Sequence, residues 1–175
     1  IKYPVNVELV ERQVGFPVIV KTISGSHGSG VFLCETKSNF KDLMELISAT
    51  EPHVNIILQE FVQTSGGRDI RVLVIGGRVV ACMERISRDG SFKANFSRGG
   101  EVRAFKINSE IEWLATESTR ILNLDIAGID LLIDGDHFKI CEANSSPGFQ
   151  GIESCCKVSI PDEIYDFIKV RLGIF

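Results

Sequence analysis

The stretch DIRVLVIGGRVVACMERI, residues 69–86, constrains the fold more than any other. Two β-rich runs flank Gly76-Gly77, and a glycine pair in that setting closes a two-residue hairpin because both central residues need φ > 0. An antiparallel pair of strands is therefore predicted here. If the ladder runs regularly away from that turn, Asp69 faces Glu84 and Arg71 lies diagonal to it. Asp69, Arg71 and Glu84 then share one side, as a structural ion pair would, and Arg85 points the other way.

Other segments extend this pattern. Asn6 to Val14 reads as a short helix stopped by Gly15. FPVIVKTI (16–23) and VFLCE (31–35) read as strands joined by the loop SGSHGSG (24–30). SNFKDLMELISA spaces Phe40, Leu43, Met44 and Ile47 as one helix face. NIILQEFV (55–62) is a strand, and RDGSFKANFSRGG (88–100) is a loop. Ser109 followed by Glu112 predicts a capping box, with Ile111, Leu114, Ala115 and Leu122 on the inner face of the helix. IAGIDLLI (126–133) and HFKICEAN (137–144) flank the turn Asp134-Gly135-Asp136, and a last helix after Ser159 carries Ile164, Phe167, Ile168 and Leu172. Hairpins alternating with helices predict an α+β fold with antiparallel sheet and helices on one side.

At 175 residues and 44% hydrophobic content, the chain can bury one core or two small ones. A net charge of −4 gives no basic surface for nucleic acid. No run of 18 apolar residues predicts a membrane span, and no signal peptide is visible. The five cysteines are odd in number and without a C-x-x-C pair, and several lie in apolar strand-like runs, which suggests buried thiols in a reducing compartment, the cytoplasm. Cys155-Cys156 reads as packing, a vicinal disulfide being the rarer alternative. The chain lacks an initiator Met and starts almost on a strand, as a piece of a longer protein would.

The groups that carry chemistry each admit two readings. With a three-residue turn at 134–136, Asp130 faces Ile140, and Asp130, Glu142 and Asn144 share one face, Asp130 and Glu142 as diagonal neighbours. Three oxygen-bearing groups suit a hard cation such as Mg²⁺, and a solvated strand end is the alternative. Gly28, Ser29 and Gly30 in the glycine loop could turn N–H groups to a phosphate, or form a plain hairpin tip. Lys21 ends a buried strand, where a phosphate or a snorkelling path to water would satisfy it. Gln59, Glu60 and Phe61 could present backbone groups to an adenine edge, or simply end a strand. Lys93, Asn95 and Arg98 offer donors to a phosphoryl group in flight, or surface charge. His27, His53 and His137 have no metal-ligand spacing.

Taken in order, FPVIVK, SGSHGSGV, ILQEFV, GRDIRVLVIGGRVVACMER, GSFKANFSRGG, AGIDLL and CEANSSPGF closely resemble the ATP-grasp superfamily. Within it the match is to RimK-like carboxylate–amine ligases, over about residues 12 to 160. The resemblance implies the ATP-grasp fold with two α+β lobes, residues 1–62 and 63–175, and ATP between them. It implies that a carboxylate attacks the γ-phosphate and that an amine, expected to be glutamate, displaces phosphate from the acyl-phosphate. The acceptor is a peptide, as in ribosomal-protein glutamate ligases, or a small acid, as in N-acetylaspartylglutamate and citrylglutamate synthases. A non-catalytic ATP-binding module is the third reading.

By position, Lys21 matches a lysine at the α-phosphate, Glu60 and Phe61 the adenine-pairing hinge, and Asp69 an acid near the ribose. Lys93 and Asn95 match a loop approaching the nucleotide, and the glycine loop matches the phosphate cover. Asp130, Glu142 and Asn144 match ligands of Mg²⁺ (or Mn²⁺). Arg85 matches the arginine aimed at the transferred phosphate. The family's N-terminal domain and an early ATP-contacting lysine are missing from this sequence, so weak nucleotide binding and no turnover by this segment alone are expected. The KAN at 93–95 departs from the arginine-serine-asparagine form of the ribosomal-protein ligases, and the oligomeric state is not legible.

Overall fold

A computed structural model describes residues 5–23, 29–88, 90–94 and 99–174. It divides into two units, Ile1–Phe61 and Val62–Phe175.

In the first unit, α1 (Val7–Gln13) is capped by Asn6, whose side chain accepts the Leu9 N–H at 2.9 Å. Strands β1 (Val18–Thr22), β2 (Val31–Cys34) and β3 (Ile56–Glu60) form an antiparallel sheet in the order β2-β1-β3. The helix α2 (Lys37–Thr50) starts at Thr36 and buries Phe40 and Met44. With Val10, Val18, Val20, Cys34 and Ile56 these fill one core on one face of the sheet. The alternation of side chains along β1 leaves Ile19 and Lys21 on the opposite face.

The second unit opens on a 3-10 turn at Gln63–Ser65. Its sheet comprises β4 (Arg68–Ile75), β5 (Arg78–Ile86), β6 (Glu101–Ala104), β7 (Ile126–Asp134) and β8 (His137–Asn144), in the order β6-β5-β4-β7-β8 and antiparallel throughout. The helix α3 (Ser109–Leu122) packs on one face through Ile111 and Ala115, against Ile70, Val72, Val74, Cys82, Ala127, Ile129 and Leu131. Helices α4 (Gln150–Cys156) and α5 (Ile160–Leu172) cover part of the other face, with Ile152 and Ile160 against Leu73, Ile75, Ala81 and Met83.

Helices thus lie on both faces of this sheet, where the sequence pattern predicted one side. Both β6 and α4 go beyond the sequence reading. Each is short, and burial against a sheet rather than intrinsic propensity stabilises such elements. Leu122, Ile168 and Leu172 do not join the core; they are 53%, 42% and 65% exposed.

Two local rules decide the geometry. Gly76 and Gly77 take φ 58° and 75°, as the predicted turn requires, and a Cβ on Gly76 would come within 2.5 Å of the Phe167 ring. The cap of α3 is Asn108, one residue before the predicted Ser109; its Oδ1 accepts the Ile111 N–H at 2.8 Å. Asn is as good a cap as Ser, and its loss leaves an orphan N–H. Asn108→Ala should therefore cost about 1 kcal/mol, read as a lower urea midpoint with an unchanged slope.

Candidate functional site

The two hairpins of the second unit do not run regularly, and this builds the site. Val74 pairs with Val79 but Leu73 pairs with Ala81, so Val80 is an extra residue in β5. Such a bulge shifts the register by one, which turns every side chain beyond it to the other face. Asp69 therefore faces Arg85, not Glu84, and Glu84 faces Ile70. The predicted grouping of Asp69, Arg71 and Glu84 is corrected to Asp69, Arg71 and Arg85. Glu84 is fully buried on the α3 face, where Arg103 Nε donates to it at 2.6 Å and Arg68 Nη1 at 3.4 Å.

A second irregularity sits in β8. The turn has two residues rather than three, with Asp134 paired to His137, and Cys141 is extra between Ile140 and Glu142. Asp130 consequently lies directly opposite Glu142, not diagonal to it and not facing Ile140. Asn144, two residues on, shares the face of Glu142, and its Nδ2 donates to Glu142 Oε1 at 3.3 Å and to the Gly128 carbonyl at 3.4 Å.

On the sheet face that α4 and α5 partly cover, β4, β5 and β7 thus bring Asp69, Arg71, Arg85 and Asp130 together. Arg85 Nε and Nη2 donate to the two oxygens of Asp69 at 2.5 and 2.8 Å, and Nη2 also donates to Asp130 Oδ2 at 2.8 Å. Arg71 Nε and Nη2 grip Asp130 with two bonds of 2.7 Å. Such paired, charge-assisted bonds are the strong ones and fix both planes. Burial raises the Asp130 carboxyl, but Arg85 and Arg71 outweigh it and hold it below the ordinary value of 3.8. Burial pushes Asp69 up to about 6, with Arg85 pulling the other way. Burial lowers Arg85, while Asp130 and Asp69 more than reverse this.

These shifts fix a pH dependence. Asp130 has a depressed folded value, so its contribution is present above about 3.8 and lost as pH falls through that lower value. Asp69 has a raised value, so its contribution is present below about 3.8 and lost as pH rises through about 6. Melting temperature against pH should lose its Asp130-dependent acid limb in Asp130→Asn and flatten near pH 6 in Asp69→Asn.

The fit to a hard cation rests on donor chemistry. Asp130, Glu142 and Asn144 offer oxygens, as Mg²⁺ requires. Three N–H groups use the Asp130 carboxylate, which has about four lone-pair sites. Asn144, with Nδ2 spent on Gly128 and Glu142, has its Oδ1 left to accept a cation. Gly128 makes room for the segment that follows: a Cβ there would come within 2.8 Å of Pro147.

The remaining sequence-predicted residues lie elsewhere. Lys21 is on β1 between Val31 and Ile57, and Gln59 faces Ile19, so Lys21 and Gln59 share the sheet face away from the helices. Glu60 pairs with Val18 and is exposed, and Phe61 follows the strand. Ser29 and Gly30 lead into β2, with the Gly30 carbonyl accepting the Thr22 N–H at 2.9 Å. Lys93 lies with its Nζ 5.4 Å from the Phe92 ring centre. Gly28, Asn95, Arg98 and His27 are outside the described residues. Cys155 and Cys156 are thiols with sulfurs 3.6 Å apart.

Solved structures place this architecture. The chain superposes on the ATP-grasp ligase PsnB in a complex with a minimal precursor at TM-score 0.69, with 25% identity, covering 95% of this chain and 52% of that one. It superposes on a D-alanine–D-alanine ligase from Bacillus anthracis at TM-score 0.71 and 14% identity, over 97% and 60% of the two chains. The fold is the ATP-grasp fold. Residues 1–168 match the RimK-like ATP-grasp domain, and the chain belongs to that family. Among curated relatives it is 37% identical over 164 residues to a probable alpha-L-glutamate ligase from Aeromonas salmonicida, covering 94% of this chain and 54% of that protein. A protein of the same description from Coxiella burnetii is 39% identical over 162 residues, covering 93% and 53%. The chain spans about half the length of these relatives.

Proposed function

We propose that this chain is the catalytic segment of an ATP-dependent ligase that joins a carboxylate to an amine through an acyl-phosphate, with glutamate as the amine. The observation that carries the reading is Arg85, buried and fixed by Asp69 and by Asp130, which in turn lies opposite Glu142. The names of the alpha-L-glutamate ligase relatives support the choice of amine. A PsnB complex holding Mg and ADP supports the choice of nucleotide and ion.

The roles follow from charge and position. Arg85 neutralises the phosphoryl group as it leaves ATP and steadies the acyl-phosphate, a preorganised cation being worth most where water is excluded. Asp130, Glu142 and Asn144 would hold Mg²⁺, which would supply charge neutralisation on the nucleotide phosphates. In the first unit, Lys21 contacts the α-phosphate, Gln59, Glu60 and Phe61 hold the adenine edge, and Gly28, Ser29 and Gly30 cover phosphates. Asp69 also serves the ribose side, and Lys93 and Asn95 the nucleotide. No protein nucleophile is needed, so positioning and electrostatics carry the rate.

The test is ADP release by the full-length protein, screened against pairs of carboxylic acids and amines. The reading expects release only when acid and amine are both present, and a hydroxamate when hydroxylamine replaces the amine. Nucleotide binding without ADP release for any pair would overturn it in favour of a non-catalytic module. A small-acid acceptor in place of a peptide would identify the synthase-like alternative.

A further inference from the structure

Cys155 and Cys156 close the helix α4, which packs on β5 and β6, across β4 from the strands that carry Asp130, Glu142 and Asn144. The ligase reading uses neither thiol. Adjacent residues of a helix do not face each other. Here the two side chains nevertheless approach, and their sulfurs stand 3.6 Å apart. Both thiols are half-buried, whereas Cys34 and Cys82 are buried. Cys156 Sγ donates to the Cys82 carbonyl at 3.3 Å, and Cys155 Sγ to the Ile152 carbonyl at 3.6 Å. A thiol is a weak donor, so giving up these bonds costs little.

The separation suits a bridging atom rather than a direct bond. A disulfide needs sulfurs about 2.05 Å apart and Cα atoms usually at least about 4.4 Å apart, whereas consecutive Cα atoms are about 3.8 Å apart. A soft centre bound to two sulfurs at about 2.3 Å holds them about 3.8 Å apart at the tetrahedral angle, and slightly closer when pyramidal. The sulfurs already stand within about 0.2 Å of that distance. The helix ends at Cys156, with Lys157 left-handed at φ 52°, so the small adjustment falls on a helix terminus. The structural alternative is that both cysteines only fill space against Ile152, Ala81 and Met83, as small apolar residues do. Packing alone needs no approach of sulfur to sulfur.

We propose that Cys155 and Cys156 form a dithiol site that chelates a thiophilic metalloid or soft metal centre through both sulfurs. The site is independent of the ligase reading. With a trivalent arsenical R–As=O, two As–S bonds form and the oxygen leaves as water with both thiol protons. Arsenic stays trivalent, so no oxidant or reductant is needed. Burial pushes Cys155 up to about 11, so its sulfur carries the proton that this step removes.

The probe is phenylarsine oxide, added to the full-length protein and followed by mass spectrometry of the intact protein and of fragmented peptides. One adduct should span Cys155 and Cys156. It should resist glutathione, a monothiol, and leave with dithiothreitol, a dithiol. In Cys155→Ser and in Cys156→Ser, release should need about 100-fold less glutathione, because the second sulfur acts at a high effective concentration. Cys141→Ser should leave the resistance unchanged. Where a serine variant does not fold, alanine at the same position carries the test, and the mapping of the parent stands without any variant. A parent with no glutathione-resistant adduct at Cys155 and Cys156 would overturn the proposal. So would full resistance in either single variant, its loss in Cys141→Ser, or an adduct bridging Cys82 to Cys156.

Discussion

Arg85→Lys in the full-length protein should lower kcat by roughly 10³-fold, with a much smaller change in the KM for ATP, because an arginine aimed at a transferring phosphoryl group is worth 10³ or more. Lysine keeps the charge, but it cannot make the two bonds to Asp69 and the third to Asp130 that fix the plane of Arg85. The loss should therefore fall on the transition state rather than on ground-state binding. Steady-state ADP release is the measurement. A variant within threefold of the parent would remove Arg85 from the chemistry.

Asp130→Asn should destabilise the chain by about 3–5 kcal/mol, the usual cost of breaking a buried ion pair from one side. Asp130 is 3% exposed and is the shared partner of two guanidiniums. The amide that replaces it carries no charge, and its nitrogen would meet N–H donors. Arg85 keeps Asp69, whereas both side-chain hydrogen bonds of Arg71 among the described residues go to Asp130. The double variant Asp130→Asn with Arg71→Met should consequently lose less than the sum of the single changes. Urea denaturation of the three variants checks this, and strict additivity would contradict the shared network.

Much of the architecture was legible beforehand, for local reasons. The Gly76-Gly77 pair, the apolar spacing of Phe40 and Met44, and the motif order each depend on neighbours in the chain. Short elements were legible only where a second local signal marked them. The strand β2 and α1, of four and seven residues, were read from an apolar run and from the stop at Gly15, whereas β6 and α4, of the same lengths, carry no such mark. The candidate site was legible as a set of residues but not as a set of contacts. Asp130, Glu142 and Asn144 were grouped on one face from a three-residue turn and a regular ladder, and the structure has neither. The shorter turn and the extra Cys141 together restore a shared face, with Asp130 opposite Glu142. No such compensation occurs in the first hairpin, where the extra Val80 exchanges Glu84 for Arg85.

The amino-acid order alone determined the family, the strands and helices long enough to show a period, and the residue types available for phosphate and cation chemistry. Tertiary structure alone decided which of them meet. A bulge costs little and leaves no mark in composition, yet one inserted residue reverses the face of every side chain beyond it. It lies where β4 and β5 pack between α3 on one side and α4 with α5 on the other. The Asp69–Arg85–Asp130–Arg71 network is therefore a property of the packed sheet.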